Sequence, residues 1–116
     1  MPAYFLGVDS DQELTLNADL AALTLTSGLK NIGNSLVWVF DELDAGKEYW
    51  GTEVTLGLAE GGVGLVTDKN FAKYASDDVK AAIADAEAGI KDGSLVVISA
   101  MDQQDKVIEM RDACRP

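Results

Sequence analysis

The sequence predicts an α/β fold in which a mainly parallel sheet is flanked by helices. Short apolar runs alternate along the chain with two segments whose apolar residues recur every three or four positions, as on one face of a helix. Strands that alternate with helices favour parallel pairing, because each crossover returns the chain to the same end of the sheet. At 116 residues the chain has the length of one domain with a single hydrophobic core.

Five segments have the composition of strands. Residues 3–8 are an apolar run between Pro2 and Asp9, which indicates a buried strand. Residues 52–58 alternate apolar and polar side chains, which indicates a strand with one buried face. Residues 20–26 favour a strand, although their Ala-Ala-Leu start is also compatible with a helix. The predicted strands are 3–8, 20–26, 52–58, 63–67 and 94–99.

Two helices are predicted from the spacing of their apolar side chains. The first spans about 28–45, with Ser27 as its N-cap and Gly46 at its C-terminal end. The second begins after Ser76 and ends at Gly93, and its first turn carries aspartates that interact favourably with the helix dipole.

The remaining segments have weaker patterns. Residues 71–74 are predicted to form a loop or a single helical turn, and the charged tail that follows residue 98 is either helical or frayed. Trp38, within the first helix, and Trp50, beside Gly51, are interpreted as packing residues rather than as residues that stack on a ligand.

The charge and the residue composition exclude several functions. Twenty acidic against nine basic residues give a net charge of −11, which repels a nucleic-acid backbone and indicates a solvated acidic surface. The chain has no histidine and one cysteine, Cys114, so a zinc site, a histidine triad and an internal disulfide are not expected. No metal or other cofactor is predicted.

The sequence predicts no membrane insertion by this chain. No apolar stretch has the length of a membrane-spanning helix, and residues 1–7 lack both the basic start of a signal peptide and a lipid-modified cysteine. We therefore expect the polypeptide as written to remain in the compartment where it is made.

The stretch GVDSDQ, residues 7–12, places two carboxylates at the end of the first predicted strand. The carboxyl ends of strands in open α/β sheets border the crevice where ligands bind, so this position predicts a binding site. A calcium loop is not expected, because Leu14 and Leu20 occupy the positions where that pattern needs Gly and Glu. Asp9 and Asp11 also lack a second catalytic group nearby in the sequence, and we expect no enzymatic activity.

The glycine-rich segment 60–64 is interpreted as a tight backbone turn. A phosphate-binding loop would continue into Gly-Lys-Ser/Thr, whereas the first lysine after this segment is Lys69.

Lys30 is predicted to lie in the first turn of the first helix, where an ammonium group opposes the helix dipole. This unfavourable position suggests a compensating anion or ligand. A surface lysine without a function is the alternative.

Several motifs, taken in order, resemble the C-terminal third of the basic membrane protein (Med) family, the nucleoside-binding lipoproteins of bacterial ABC importers. The resemblance covers about residues 5–98. The motifs are GVDSDQ, LTSGLKN, FDELDAGK, TLGLAEGGVGLV and SDDVKAAIADAEAGIKDGSLVV.

The resemblance implies a partial periplasmic-binding-protein-like (type I) fold over residues 1–98, followed by a tail over 99–116 that has no counterpart in the family. It implies that Asp9 accepts hydrogen bonds from the hydroxyls of a ribose and that Lys30 reaches the same sugar. The implied ligand is a purine nucleoside, the implied partner is the permease of an ABC importer, and the full-length family is extracytoplasmic and anchored by a lipid.

Only half of the family's binding cleft corresponds to these residues, since its base-reading segments come earlier in the family sequence. The chain is therefore expected either to pair with a second copy or to be one piece of a larger receptor. The rival hypothesis is a structural or interaction module that self-associates through unpaired sheet edges and binds no small molecule. A sensing domain attached to a regulator is the least favoured alternative.

Overall fold

The computed structural model describes residues 3–99, 101 and 103–115. The described chain is α/β, with a small three-stranded mixed sheet flanked by helices. The strands, in the order β1-β2-β3 across the sheet, are β1 (Phe5–Asp9), β2 (Thr24–Lys30) and β3 (Val63–Leu65). The helices are α1 (Gln12–Thr15), α2 (Ala18–Ala21), α3 (Ile32–Asp44), α4 (Lys69–Tyr74), α5 (Asp77–Asp92) and α6 (Gln104–Ala113).

The sheet is mixed, so the expectation of a mainly parallel sheet is only partly correct. β1 and β2 pair in parallel, whereas β3 runs antiparallel to β2. After β2 the chain passes through α3 and the glycine-rich turn. It then enters β3 beside the end of β2 and runs back along that strand. This turn confirms the interpretation of residues 60–64: Gly61 has a φ of +68°, and a Cβ on Gly62 would lie 2.6 Å from the carbonyl oxygen of Leu56.

The strand predicted over 20–26 lies four residues further along the chain. α2 covers its Ala-containing start, and β2 continues to Lys30. Ser27 is therefore not the N-cap of α3, which is Asn31. The Ser27 side chain is instead buried and accepts a hydrogen bond from the backbone N–H of Gln12 at 3.2 Å.

Two predicted strands, 52–58 and 94–99, have no strand structure. Alternating or apolar side chains specify a strand only when another strand supplies backbone partners. Among the described residues, neither segment lies in the sheet. Val96 and Val97 consequently leave most of their side chains in solvent.

The second predicted helix is confirmed by α5. The Ser76 hydroxyl accepts a hydrogen bond from the Val79 N–H, and Gly93 ends the helix with a φ of +80°. Gly46 ends α3 in the same left-handed conformation, with a φ of +77°. Segment 71–74 lies in α4, and the tail contains α6.

The best-packed part of the described chain is the interface of the sheet with α1, α2 and α4, and it is unusually polar. The hydroxyl of Thr26 donates to the carbonyl of Val66 at 2.5 Å, and that of Thr24 donates to the carbonyl of Leu20 at 3.1 Å. The Asn70 amide bridges α4 to the sheet by donating to the carbonyls of Ala21 and Thr24, both at 2.9 Å. These bonds satisfy groups whose burial would otherwise cost free energy.

The single hydrophobic core expected from the chain length is not developed within the described residues. Among them, Val66 and Phe71 are the buried large hydrophobic side chains, and the expected burial of β1 is wrong because Phe5, Leu6 and Val8 are exposed. The radius of gyration is 17.2 Å, whereas a compact chain of this length has one of about 13 Å. No described helix combines the length and apolar character needed to cross a bilayer.

Gly7→Ala should destabilise the fold by about 1–3 kcal/mol, because the new Cβ overpacks a closed part of the sheet. It would lie 2.3 Å from Ser27 Oγ and 3.1 Å from the Gln12 Cβ. Urea unfolding followed by circular dichroism measures the change. Gly28→Ala is the matched control, since a Cβ at that β2 position meets no atom within 4 Å. Equal midpoints for the two variants would contradict the tight packing of β1 on β2.

Candidate functional site

Asp9 and Lys30 lie side by side at the carboxyl ends of two neighbouring parallel strands. Asp9 is the last residue of β1 and pairs with Leu29 in the β2 register, so Lys30 is one residue further along. Lys30 Nζ and Asp9 Oδ1 are 2.9 Å apart. The structure thus brings together the two residues that the sequence singled out, at the sheet edge where ligand sites are common.

The reason given for Lys30 from the sequence is wrong, because the residue ends β2 and precedes α3. Its ammonium group therefore does not sit in the first turn of a helix. Lys30 instead meets a carboxylate across the sheet, and both side chains are well exposed, at 67% for Lys30 and 63% for Asp9. An exposed pair of this kind stabilises a fold little, so stability alone gives no reason for it.

The backbone at Asp9 adopts a conformation that residues with a side chain rarely take. Its φ is +72°, and the N–H of Ser10 donates to the carbonyl of Val8 at 2.9 Å, which closes a γ-turn centred on Asp9. Such a turn is strained for a residue with a Cβ, and strain of this kind is concentrated at functional sites. The turn directs the Asp9 carboxylate out of the strand toward Lys30.

The second carboxylate of GVDSDQ has a structural role. Asp11 is the N-cap of α1, where it accepts the N–H of Glu13 at 3.2 Å, and it also accepts a bond from Lys69 Nζ at 2.8 Å. The hydrogen bond that Lys69 donates to Asp11, assisted by one that it donates to Asp68, raises the pKa of Lys69 well above its ordinary value. Asp11 therefore fixes the loop, and Asp9 is the carboxylate of the two that stays exposed, beside Lys30. Within residues 3–99, 101 and 103–115, no cluster of acidic or cysteine side chains could hold a metal ion.

A groove with a volume of about 580 Å³ begins at Lys30 and runs along one side of α3. Its other wall is the irregular segment 49–56, together with the start of β3. The lining is mostly apolar and consists of Lys30, Ile32, Ser35, Trp38, Val39, Leu43, Tyr49, Trp50, Thr52, Val54, Leu56, Gly62 and Val63.

Three aromatic residues of this groove were not predicted as site residues. The Trp38 and Tyr49 rings pack with centroids 5.3 Å apart, and Trp50 is 77% exposed, which is unlike a packing residue. The signal in the sequence was the placement of aromatic residues on both sides of the helix end at Gly46. Only the fold shows that the chain turns there and brings Tyr49 back against Trp38.

Glu42 holds this wall of the groove. It accepts a 2.6 Å bond from the Tyr49 hydroxyl and bonds of 2.8 and 3.0 Å from Lys47 Nζ. The bond from Lys47, followed by that from Tyr49, lowers the pKa of Glu42. The same contacts raise the pKa values of Lys47 and Tyr49, because the Glu42 carboxylate stabilises the protonated form of each side chain.

The chain is similar to a known nucleoside-binding protein. It is 33% identical over 101 residues to the ABC transporter nucleoside-binding protein BmpA of Lactococcus lactis subsp. cremoris (strain MG1363), an alignment that covers 83% of this chain and 27% of that relative. The chain thus spans about a quarter of the relative's length, and the similarity indicates a distant relationship. No family model matches the sequence.

The strained turn predicts that Asp9→Gly is more stable than Asp9→Ala by about 1 kcal/mol, because glycine adopts positive φ freely and alanine does not. Urea unfolding of the two variants measures the difference. Val8→Gly and Val8→Ala are the controls. Because Val8 lies within β1 without a positive φ, alanine should be the more stable of that pair. The same order at both positions would contradict strain at Asp9.

The Glu42 contacts predict that Glu42→Gln lowers the pKa of Tyr49 toward the ordinary value of a phenol. The neutral amide no longer favours the protonated hydroxyl as strongly as the carboxylate does. Phenolate absorbance during an alkaline titration measures this pKa, with Tyr49→Phe identifying the contribution of Tyr49. Asp44→Asn, which neutralises another acid of α3, should leave the titration unchanged. An unchanged titration in Glu42→Gln would show that Tyr49 is not bonded to Glu42.

Proposed function

We propose that this chain carries the sugar-binding part of a purine-nucleoside-binding protein that serves a bacterial ABC importer. The proposal depends chiefly on one observation, the 2.9 Å contact between Asp9 and Lys30 at the carboxyl edge of parallel strands. The similarity to BmpA, a nucleoside-binding protein of an ABC transporter, supports the class of ligand.

The chemistry of the pair suits a ribose. A carboxylate accepts hydrogen bonds from two vicinal hydroxyls at once, and an ammonium group donates to the oxygens of the same hydroxyls. Both side chains are exposed, so a sugar can approach them directly. Binding in this way forms and breaks no covalent bond, in keeping with a carrier protein without enzymatic activity.

In this role the protein would hold its nucleoside outside the cytoplasmic membrane, as a lipid-anchored receptor, and pass it to the permease of the importer. Residues 1–98 would supply part of the receptor fold, and residues 99–116, which include α6, would be an appended tail. The resemblance in sequence, which covers about residues 5–98, supports this division.

A second candidate, a self-associating module without a ligand, is favoured by the exposed apolar surface. β1 is an edge strand of the described sheet, and Phe5, Leu6 and Val8 are all exposed on it. An apolar edge strand offers unpaired backbone groups to another strand, so two copies could pair there. This reading explains the open packing but gives no role to the Asp9–Lys30 pair.

Isothermal titration calorimetry with inosine, guanosine and adenosine tests the proposed function. We expect wild-type protein to bind, and Asp9→Asn to weaken binding about 10- to 150-fold through the loss of charge-assisted hydrogen bonds. A dideoxy analogue of inosine, which lacks the two vicinal ribose hydroxyls, should bind as weakly to wild type as inosine does to the variant. Lys80→Met is the control, since it removes an ion pair with Asp77 on α5, away from the groove.

Two results would contradict the proposal. Equal affinity of wild type for inosine and for its dideoxy analogue would show that the sugar hydroxyls are not recognised. An absence of heat at millimolar nucleoside, together with a dimeric mass by light scattering that Leu6→Lys reduces to a monomer, would favour the self-associating module.

A further inference from the structure

Residues 94–99 form an exposed apolar segment that has no strand partner in the described sheet. Their sequence, SLVVIS, is uncharged, contains no proline and is rich in β-branched side chains, which is the composition of a strand. Val96 leaves 72% of its surface in solvent, and Val97 leaves 67%. The segment therefore has the residues of a strand without the backbone partner that would make it one.

The structure holds this segment at the end of α5. The N–H of Leu95 donates to the carbonyl of Gly89 at 2.8 Å, and the N–H of Ser94 donates to the Asp92 carboxylate at 2.8 Å. Among the described helices and strands, none packs extensively against α5. The segment is thus attached to a helix that leaves it accessible to another molecule.

One side of β1 lacks a strand partner in the same way. β1 is an edge strand of the described sheet, and it pairs with β2 on its other side. Edge strands of native proteins usually carry lysine, proline or another charged side chain that discourages further pairing. Residues 5–8 carry none of these, and Phe5, Leu6 and Val8 are all exposed. The edge is therefore open to another short strand.

The distribution of charge favours these two segments as a contact between copies of the chain. With a net charge of −11, two copies repel each other over most of their surfaces. Residues 94–99 and residues 5–8 contain no charged side chain, so their approach brings no like charges directly together. Asp9, which ends β1, has its charge offset by Lys30 at 2.9 Å.

We propose that residues 94–99 of one copy add to the free edge of β1 in a second copy, so that each sheet gains a strand. The exchange is reciprocal, because a two-fold axis also places the second copy's segment on the first copy's β1. Strand addition supplies main-chain hydrogen bonds along the edge and side-chain pairs across it. It differs from a pairing of two β1 strands, in which residues 94–99 would stay exposed.

Wild-type protein provides the first test. Sedimentation velocity over a range of protein concentrations should show a monomer that converts to a dimer. Hydrogen exchange at the same concentrations should show protection of the amides in 94–99 only where the dimer forms. Added salt should strengthen the dimer, because it screens the repulsion between two acidic copies. These measurements do not depend on the folding of any variant.

Substitutions then locate the contact. Leu6→Lys and Val96→Lys should each weaken the dimer about 10-fold or more, because each places a charge in an apolar contact between strands. Val37→Lys is the matched control, since Val37 is about as exposed as Leu6 but lies on α3, and it should leave the dimer unchanged. Circular dichroism verifies the folding of each variant.

Cysteine variants identify the strand that pairs with β1. Each variant also carries Cys114→Ser, which removes the natural thiol. Mixed with a partner variant and oxidised glutathione, Leu6→Cys should form a disulfide between copies, since paired strands bring opposite Cβ atoms within the span of a disulfide. Leu6→Cys alone should form none. Three partner variants scan the register: Leu95→Cys, Val96→Cys and Val97→Cys.

Three results would overturn the inference. A monomer at every concentration would show that the segment has no such partner. A disulfide between two Leu6→Cys copies, with none in any mixture, would show that β1 pairs with β1. A dimer that Val96→Lys leaves unchanged, and whose amides in 94–99 exchange freely, would place the contact elsewhere. Because none of these measurements contains a nucleoside, their results are independent of the proposed function.

Discussion

The close parallel pairing of β1 with β2 is the constraint on which the candidate site depends. Gly7 lies opposite Ser27, where there is no room for a Cβ, and the Ser27 hydroxyl accepts the N–H of Gln12 and thereby holds the loop that follows β1. Because the strands are parallel, their carboxyl ends share one edge of the sheet. Asp9 and Lys30, which are far apart in sequence, become neighbours for this reason.

The two carboxylates of GVDSDQ lie in the same loop but have different surroundings. Asp11 accepts hydrogen bonds from the start of α1 and from Lys69, and these bonds anchor the loop. Asp9 is left in a strained turn with its carboxylate exposed beside Lys30. The hydrogen bonds of Asp11 maintain the conformation of Asp9. Strained residues usually depend on their surroundings in this way.

The apolar surface of the described chain also bears on function. Side chains of β1 and α3 that pack poorly against the rest, including Leu6, Val8, Leu36 and Phe40, are available to other polypeptide. The groove differs from these faces, since hydrogen bonds from Tyr49 and Lys47 to Glu42 organise its wall.

The sequence by itself determined the α/β class, β1, the limits of α5 and the glycine-rich turn, because local apolar spacing, caps and glycines specify these features. It also singled out Asp9 and Lys30. Tertiary structure decided the rest: strands 52–58 and 94–99 lack partners in the described sheet, and β3 pairs antiparallel to β2. Ser27 lies in β2 and does not cap α3, because its hydroxyl accepts a hydrogen bond from the N–H of Gln12, which is distant in sequence. The groove forms only where the chain folds back at Gly46, since contacts between residues far apart in sequence leave no local signal.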